Sequence, residues 1–273
     1  MTDNLKLMCV IAHPDDESLG MGATLAKYAA EGVEVSVISA TRGERGWGRD
    51  EREYPGPEAL GRIREGELLA AAEVLAVREV HFLDIMDGEL DRVDQAEVVG
   101  KIVAHLRRIK PQVVVTFGPE GSYGHPDHIA ICQLTHAGIV CAADQGYRPP
   151  EDVPNPGPAY TVPKLYYMAD SKELIRDYEA IVGRMGMVVD GKMRFAAPWE
   201  DWAITTWIDV DAYVDNMWQA IVCHKSQSHE YEAFLEVSEA EKRRMFGLQS
   251  FYRVYSLVHT GRGVERDLFA GLR

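Results

Sequence analysis

An open, doubly wound α/β fold with a mainly parallel sheet is what this sequence predicts, and three observations predict it. Short apolar runs alternate with longer segments of helical spacing through the first half of the chain. One of those runs, VVVTF at Val113–Phe117, has almost no polar break, the pattern of a strand covered by helices on both faces. The densest polar clusters follow directly on strand-like runs, where sheets of this kind bind their ligands.

Taken in order, Leu7–Ile11 is the first strand. Ser18–Glu31 follows as a helix, with Leu19, Leu25, Ala26 and Ala29 near helical spacing and Gly32 as its stop. Val33–Ala40 is rich in valine and makes a second strand; Glu58–Leu75 is a long helix; Val80–Leu83 is a third strand. Asp94 caps a helix that runs to about Lys110, with Pro111 behind its end. After the fourth strand a helix spans about Asp127 to Ala143. Residues 144–163 hold six of the 13 prolines and read as a long irregular loop, either a surface linker or a wall of the site. KLYYMAD is strand-like, and Ser171 caps a helix to about Met185. AITTWIDV, a helix near Ala212–Cys223, a helix opened by the capping box Ser238-Glu239-Ala240-Glu241, and a last strand Val254–His259 complete the chain. The sum is a Rossmann-like sheet with helices on both faces and a C-terminal elaboration. It reads as a single domain over 1–273, with a core of about 5–185 and the elaboration over about 186–273.

Composition narrows the function. Of 273 residues 46% are hydrophobic, enough for a sizeable core, and the net charge of -14 disfavours a nucleic-acid backbone or an anionic membrane surface as partner. A small neutral or cationic substrate, or a metal cation, suits that charge better. Cys9, Cys132, Cys141 and Cys223 form no C-x-x-C pair and sit among apolar residues, as reduced thiols do in a cytoplasm. The sequence shows no signal peptide and no apolar run near the roughly 18 residues of a membrane span.

Two clusters carry the chemistry. The first strand ends in AHPDDE, with His13 and Asp16 three apart and Asp15 and Glu17 beside them. The fourth ends in FGPEGSYGHPDH, with His125 and His128 three apart and Asp127 between them. Both lie at carboxyl ends of strands that are commonly neighbours at the switch point of such a sheet, so one crevice gathers imidazoles and carboxylates. Such a set suits Zn²⁺, with three protein ligands and an open position for water. Hydrolysis also needs a base and an acid, so not every candidate is a ligand.

AHPDDE followed later by GHPDH resembles the LmbE/PIG-L family of metal-dependent N-deacetylases, which includes deacetylases of mycothiol and bacillithiol biosynthesis and an amidase acting on mycothiol conjugates. The resemblance spans roughly residues 5–140, with HKSQ at 224–227 similar to a short C-terminal element of the family. It implies that His13, Asp16 and His128 bind Zn²⁺, with Fe²⁺ accepted by the same donors. It implies Asp15 as general base, and His125 as a protonated imidazole that stabilises the oxyanion and protonates the leaving amine. Asp127 would orient or charge-stabilise His125, and Tyr123 would donate a hydrogen bond to the tetrahedral intermediate. Glu17 is either a carboxylate at a helix N-terminus or a group that holds His13.

Substrate contacts follow from the same resemblance: Glu44 in TRGERG to a sugar hydroxyl, Arg64 in RIREGELL and Asp87 in FLDIMDGEL to the ring, and His224 at the C-terminal element. Trp47 and Tyr54 are candidates for a pocket wall, against a plain loop. His81, His105, His136, His229 and His259 lack motif context and read as structural or surface residues. The resulting expectation is an enzyme that removes acetyl from an N-acetylglucosamine-type conjugate by attack of zinc-bound water, cytoplasmic and with a small-molecule partner. Related enzymes form trimers or hexamers, so a homo-oligomer is implied. The rival with the same machinery is an amidase on a thiol S-conjugate. A metallophosphoesterase would need ligands for a second ion, and a nucleotide-binding module would need a glycine-rich or Walker sequence after the first strand, which is missing.

Overall fold

The computed structural model describes residues 4–48, 50–150, 153, 157–189, 191–261 and 263–273. Five apolar runs become parallel strands: β1 (Lys6–Ile11), β2 (Glu34–Ser39), β3 (Glu79–Phe82), β4 (Val113–Thr116) and β5 (Lys164–Met168). Leu7 through Ile11 and Val113 through Val115 are fully buried, as their unbroken apolar patterns require. Between the strands lie α1 (Asp16–Ala30), α2 (Pro57–Val74), α3 (Gln95–Ile109), the short turn α4 (Gly121–Gly124) and α5 (Pro126–Ala143). The C-terminal part adds α6 (Lys172–Val182), β6 (Gly186–Val189), β7 (Lys192–Phe195), β8 (Thr206–Asp209), α7 (Val214–Ile221), α8 (Ser228–Leu235), α9 (Glu239–Phe246) and β9 (Leu248–Ser256).

The main sheet runs β3-β2-β1-β4-β5-β9-β8. The chain steps from β1 outward to β3, then crosses back to β4 on the other side of β1, so the order reverses between β1 and β4. Loops leaving those two neighbours diverge, and their carboxyl ends open the crevice expected from the sequence. α1, α2 and α7 pack together, and α3 packs on α5. β9 is antiparallel between β5 and β8. The doubly wound α/β expectation therefore holds, and part of the C-terminal elaboration continues the same sheet.

The main differences from the sequence reading lie in the C-terminal part. α6 stops at Val182 rather than near Met185, because Gly183 takes φ +81° and turns the chain away. The following residues form the hairpin β6–β7, which the sequence did not announce. β9 starts at Leu248 rather than Val254: Gln249 and Ser250 look like loop residues but are buried in hydrogen bonds. Gln249 Oε1 accepts from the Thr24 amide and hydroxyl at 2.9 and 2.6 Å, and Ser250 donates to the Ala169 carbonyl.

The proline-rich stretch 144–163 has no helix or strand among its described residues; 151, 152 and 154–156 lie outside them. Its described part lines a separate depression with Arg107, away from the β1/β4 crevice. Trp47 and Tyr54 also stay outside the crevice: Trp47 Nε1 donates to the Asp50 carbonyl and Tyr54 to that of Glu44. Among the described residues no helix is long and apolar enough to cross a membrane.

Candidate metal centre and active site

The first cluster is built by a sharp exit from β1. After Ala12 the chain passes His13 and Pro14, and Asp15 takes φ +109° before α1 begins at Asp16. A non-glycine residue in that region costs on the order of 1–3 kcal/mol and persists only where neighbours over-determine it. Here two do. Glu17, fully buried, accepts the Asp15 amide at 3.0 Å. Arg64 of α2 reaches across to donate to the Pro14 carbonyl and, at 3.0 Å, to the Asp15 carboxylate.

Asp16 is anchored by one oxygen and offers the other. Its Oδ2 accepts the His13 and Ala12 amides at 2.7 and 3.2 Å. Its Oδ1 lies 3.4 Å from His128 Nε2, which is 3.3 Å from His13 Nδ1. Bonds of about 2.0–2.2 Å to a tetrahedral cation put neighbouring donors about 3.3–3.6 Å apart. The spacing of these donors therefore fits one small divalent ion, and His13, Asp16 and His128 are brought together as the sequence implied. A second group, His13, His125 and Asp127, shares His13 with the first, so the two do not form separate sites. Asp127 in that group is already committed, since its carboxylate accepts the Gly88 and Leu90 amides.

The outer nitrogen of His13 is fixed as firmly as the inner one. His13 Nε2 donates to Asp87 at 3.1 Å and to Asp127 at 3.2 Å. With Nε2 protonated, Nδ1 presents its lone pair to the cation position. Burial favours the neutral ring, but hydrogen bonds to Asp127, Asp16 and Asp87 outweigh it and hold the His13 pKa well above its ordinary value. Burial also pushes the Asp16 carboxyl up, yet His128 and His13 hold it well below its usual range. Concentrated negative charge around one imidazole is an environment that a divalent cation relieves.

His125 is the N-cap of α5, and its Nδ1 accepts the Asp127 amide at 3.1 Å. Its proton therefore sits on Nε2. Burial, with the nearby His13 and His128, brings its pKa down to about 4. That direction runs against the protonated imidazole expected from the sequence; Nε2–H is the donor with either charge. The Asp127 carboxylate hydrogen-bonds His13, while at His125 its amide donates to Nδ1 and its charge favours the cationic ring, the charge-stabilising alternative of the sequence reading. Tyr123 stands edge-on to His125 and His128, with centroids 6.0 and 5.5 Å away.

Other roles read from the sequence also change. Arg64 is buried yet lines the cleft, and its guanidinium donates to the Pro14 and Gly43 carbonyls and to the Asp15 carboxylate. The glycines of TRGERG make room for it: a Cβ on Gly46 would lie 2.1 Å from Arg64 Nη1, and one on Gly43 2.3 Å. Glu44 lies outside the cleft lining and accepts the Arg42 and Asp87 amides, tying the loop after β2 to the loop after β3. Asp87 reaches the cleft but is held by His13 and the Arg45 amide. His224 is buried behind the site, where it donates to Glu17 at 2.9 Å. Burial lowers its pKa, but Glu17 and then Asp15 raise it further, and the net shift is upward. Glu17 thus holds Asp15 and His224 rather than His13.

The cleft over this centre has a volume of about 850 Å³. Arg45, Asp91, Arg92 and Gln227 line it and were not singled out from the sequence. Gln227 had a signal, since it ends HKSQ; it donates to the Gly46 carbonyl at 2.7 Å. The arginines lie in loops with no local pattern of their own.

A doubly wound sheet with a His₂Asp donor set that could hold a metal ion, a pinned carboxylate and an imidazole N–H donor defines the class: a metal-site enzyme built for hydrolysis. Comparison with known proteins agrees. Residues 8–139 match the PIG-L family, described as GlcNAc-PI de-N-acetylase. The 1D-myo-inositol 2-acetamido-2-deoxy-alpha-D-glucopyranoside deacetylase of Geodermatophilus obscurus is 32% identical over 100% of this chain and 99% of its own. The protein of the same name from Kribbella flavida is 31% identical over 98% of each chain. The solved N,N'-diacetylchitobiose deacetylase of Pyrococcus horikoshii shares the fold, with a TM-score of 0.67 at 20% identity over 92% of this chain and 84% of that one. The chain belongs to the PIG-L family of metal-dependent deacetylases.

Proposed function

We propose that this enzyme removes acetyl from the nitrogen of an N-acetylglucosamine conjugate by hydrolysis. The observation that carries the reading is His128 Nε2 at 3.3 Å from His13 Nδ1 and 3.4 Å from Asp16 Oδ1 in the lining of a cleft, with Asp15 beside them. The relatives' names supply the amino-sugar class. His13, Asp16 and His128 hold the cation, Zn²⁺ or Fe²⁺. When bound, such an ion supplies Lewis acidity, which polarises an amide carbonyl and acidifies water.

The chain's own residues do the rest. Asp15 accepts the proton of the attacking water, and Arg64 fixes the carboxylate in place. Asp87 and Asp127 keep His13 in the tautomer that offers Nδ1 inward. Nε2–H of His125 and the Tyr123 hydroxyl donate to the oxyanion as it develops. The departing amine takes the proton that Asp15 received from the attacking water, so the same carboxyl serves first as base and then as acid. The whole chain, 1–273, acts as one domain, since β8 and β9 extend the sheet begun by β1. We place it in the cytoplasm, where four free cysteines persist, and expect a trimer or hexamer, which light scattering reads.

The test is release of free amine from a panel of N-acetylglucosamine conjugates, with and without added Zn²⁺ or Fe²⁺. Metal-dependent amine release is expected. Metal-loaded protein that leaves the whole panel untouched, or that prefers thiol S-conjugate amides, overturns the reading.

A further inference from the structure

The cleft is not uniform. Sheet order places the loops after β2 and β3 on one side of the β1/β4 switch and the loop after β5, which leads into α6, on the other. The first side supplies charged groups, Arg45, Asp91 and Arg92. The second side is formed by α6 and the hairpin strand β6; it supplies Leu174, Tyr178, Val182, Met187 and Val189, with Phe246 of α9, and its charged members are Asp170 and Arg184, whose guanidinium lies over the Phe195 ring. β6 itself, GMVV, carries no polar side chain.

This apolar wall is continuous with the catalytic loop. The hairpin leans on the turn that carries Tyr123 and His125: Arg194 donates to the Gly124 carbonyl at 3.2 Å, and the Ala197 amide to that of Ser122. A two-stranded hairpin is marginal alone, so this docking holds it over the site. The wall is also wet. Val182 and Val188, both in the cleft lining, are 37% and 59% exposed. Apolar surface kept exposed beside a reactive centre marks a place where a ligand completes the burial.

We propose that the conjugate this enzyme deacetylates carries an apolar aglycone, a hydrocarbon or aromatic group of roughly six carbons or more that packs along α6 and β6. The inference rests on the deacetylase reading. Because that reading fixes acetyl as the group removed, the apolar part belongs to the amine-bearing product. An inositol, with a hydroxyl on every carbon, would leave this wall unmatched.

The experiment uses the metal-loaded full chain and measures kcat/KM for methyl, butyl, hexyl and phenyl glycosides of N-acetylglucosamine, in both anomers, beside the inositol conjugate. A fully buried methylene is worth up to about fourfold. The expected hexyl-to-methyl ratio is at least about tenfold, with hexyl ahead of inositol. In V182D and M187N, each compared as its own ratio, that ratio falls toward one; the ratio cancels any loss of folded enzyme. A flat or falling series with good turnover of the methyl glycoside overturns the apolar aglycone and leaves the deacetylase reading intact. So does preference for the inositol conjugate. Faster turnover of N-hexanoyl than N-acetyl methyl glycoside reassigns the wall to the acyl chain and overturns the inference. No amine release from any member overturns both.

Discussion

Asp15 and Arg64 show how much depends on single side chains. Asp15 sits in a strained backbone conformation and is held there by a buried guanidinium and a buried carboxylate. D15N keeps the backbone contacts and the cation ligands but removes the base. We expect unchanged metal content by elemental analysis and a loss in kcat of about 10²-fold or more. H128A removes a ligand instead, and bound metal per chain should fall well below one. R64M leaves both in place and frees Asp15. A kcat loss of about tenfold or more with KM little changed is the outcome expected of a positioning residue; a rise in KM alone would mean that Arg64 binds substrate after all.

At the scale of elements, the loop after β2 exists to accommodate α2. Its glycines let Arg64 pass, and Gln227 closes over it through the Gly46 carbonyl. G46A puts a methyl group where the guanidinium lies, so activity should fall with R64M while the circular-dichroism spectrum is retained. The edge of the sheet has its own test. Lys164 of β5 donates to Glu265 at 3.0 Å with both side chains buried, and Tyr166 and Arg253 donate to the same carboxylate. Burial pushes the Glu265 carboxyl up, but Tyr166, Lys164 and Arg253 hold it below its usual value. A carboxylate depressed in the fold stabilises it above the unfolded value of about 4.3, and that contribution is lost as pH falls through the folded value. E265Q should therefore cost about 3–5 kcal/mol at neutral pH, and chemical denaturation below pH 4 should show a smaller gap to the parent. An equal gap at both pH values would sink this account.

For the whole molecule, a cation held by His13, Asp16 and His128 would join loops from β1 and β4 that the sheet only brings near each other. Chelation should remove activity and lower the thermal midpoint, and Zn²⁺ or Fe²⁺ should restore both. Neighbours on one strand end were legible without coordinates: His13 with Asp16, and His125 with His128, each lie within one short loop at a place where such folds bind ligands. Arg64, Asp87 and His224 were rightly drawn to the centre, since all three lie against its residues, but they hold protein groups there. The hairpin β6–β7 left no trace in hydrophobic period, because four-residue strands beside a glycine are too short to show one.

What the sequence alone determined was the alternation that builds a parallel sheet and the two strand-end motifs whose donors could hold a cation. Both are local, so spacing encodes them. Only the tertiary structure decided which carboxylate meets which imidazole, which nitrogen of His125 is left to donate, and which apolar side chains line the cleft. Those outcomes depend on groups far apart in the chain, whose charge and burial are set only when the strands pack.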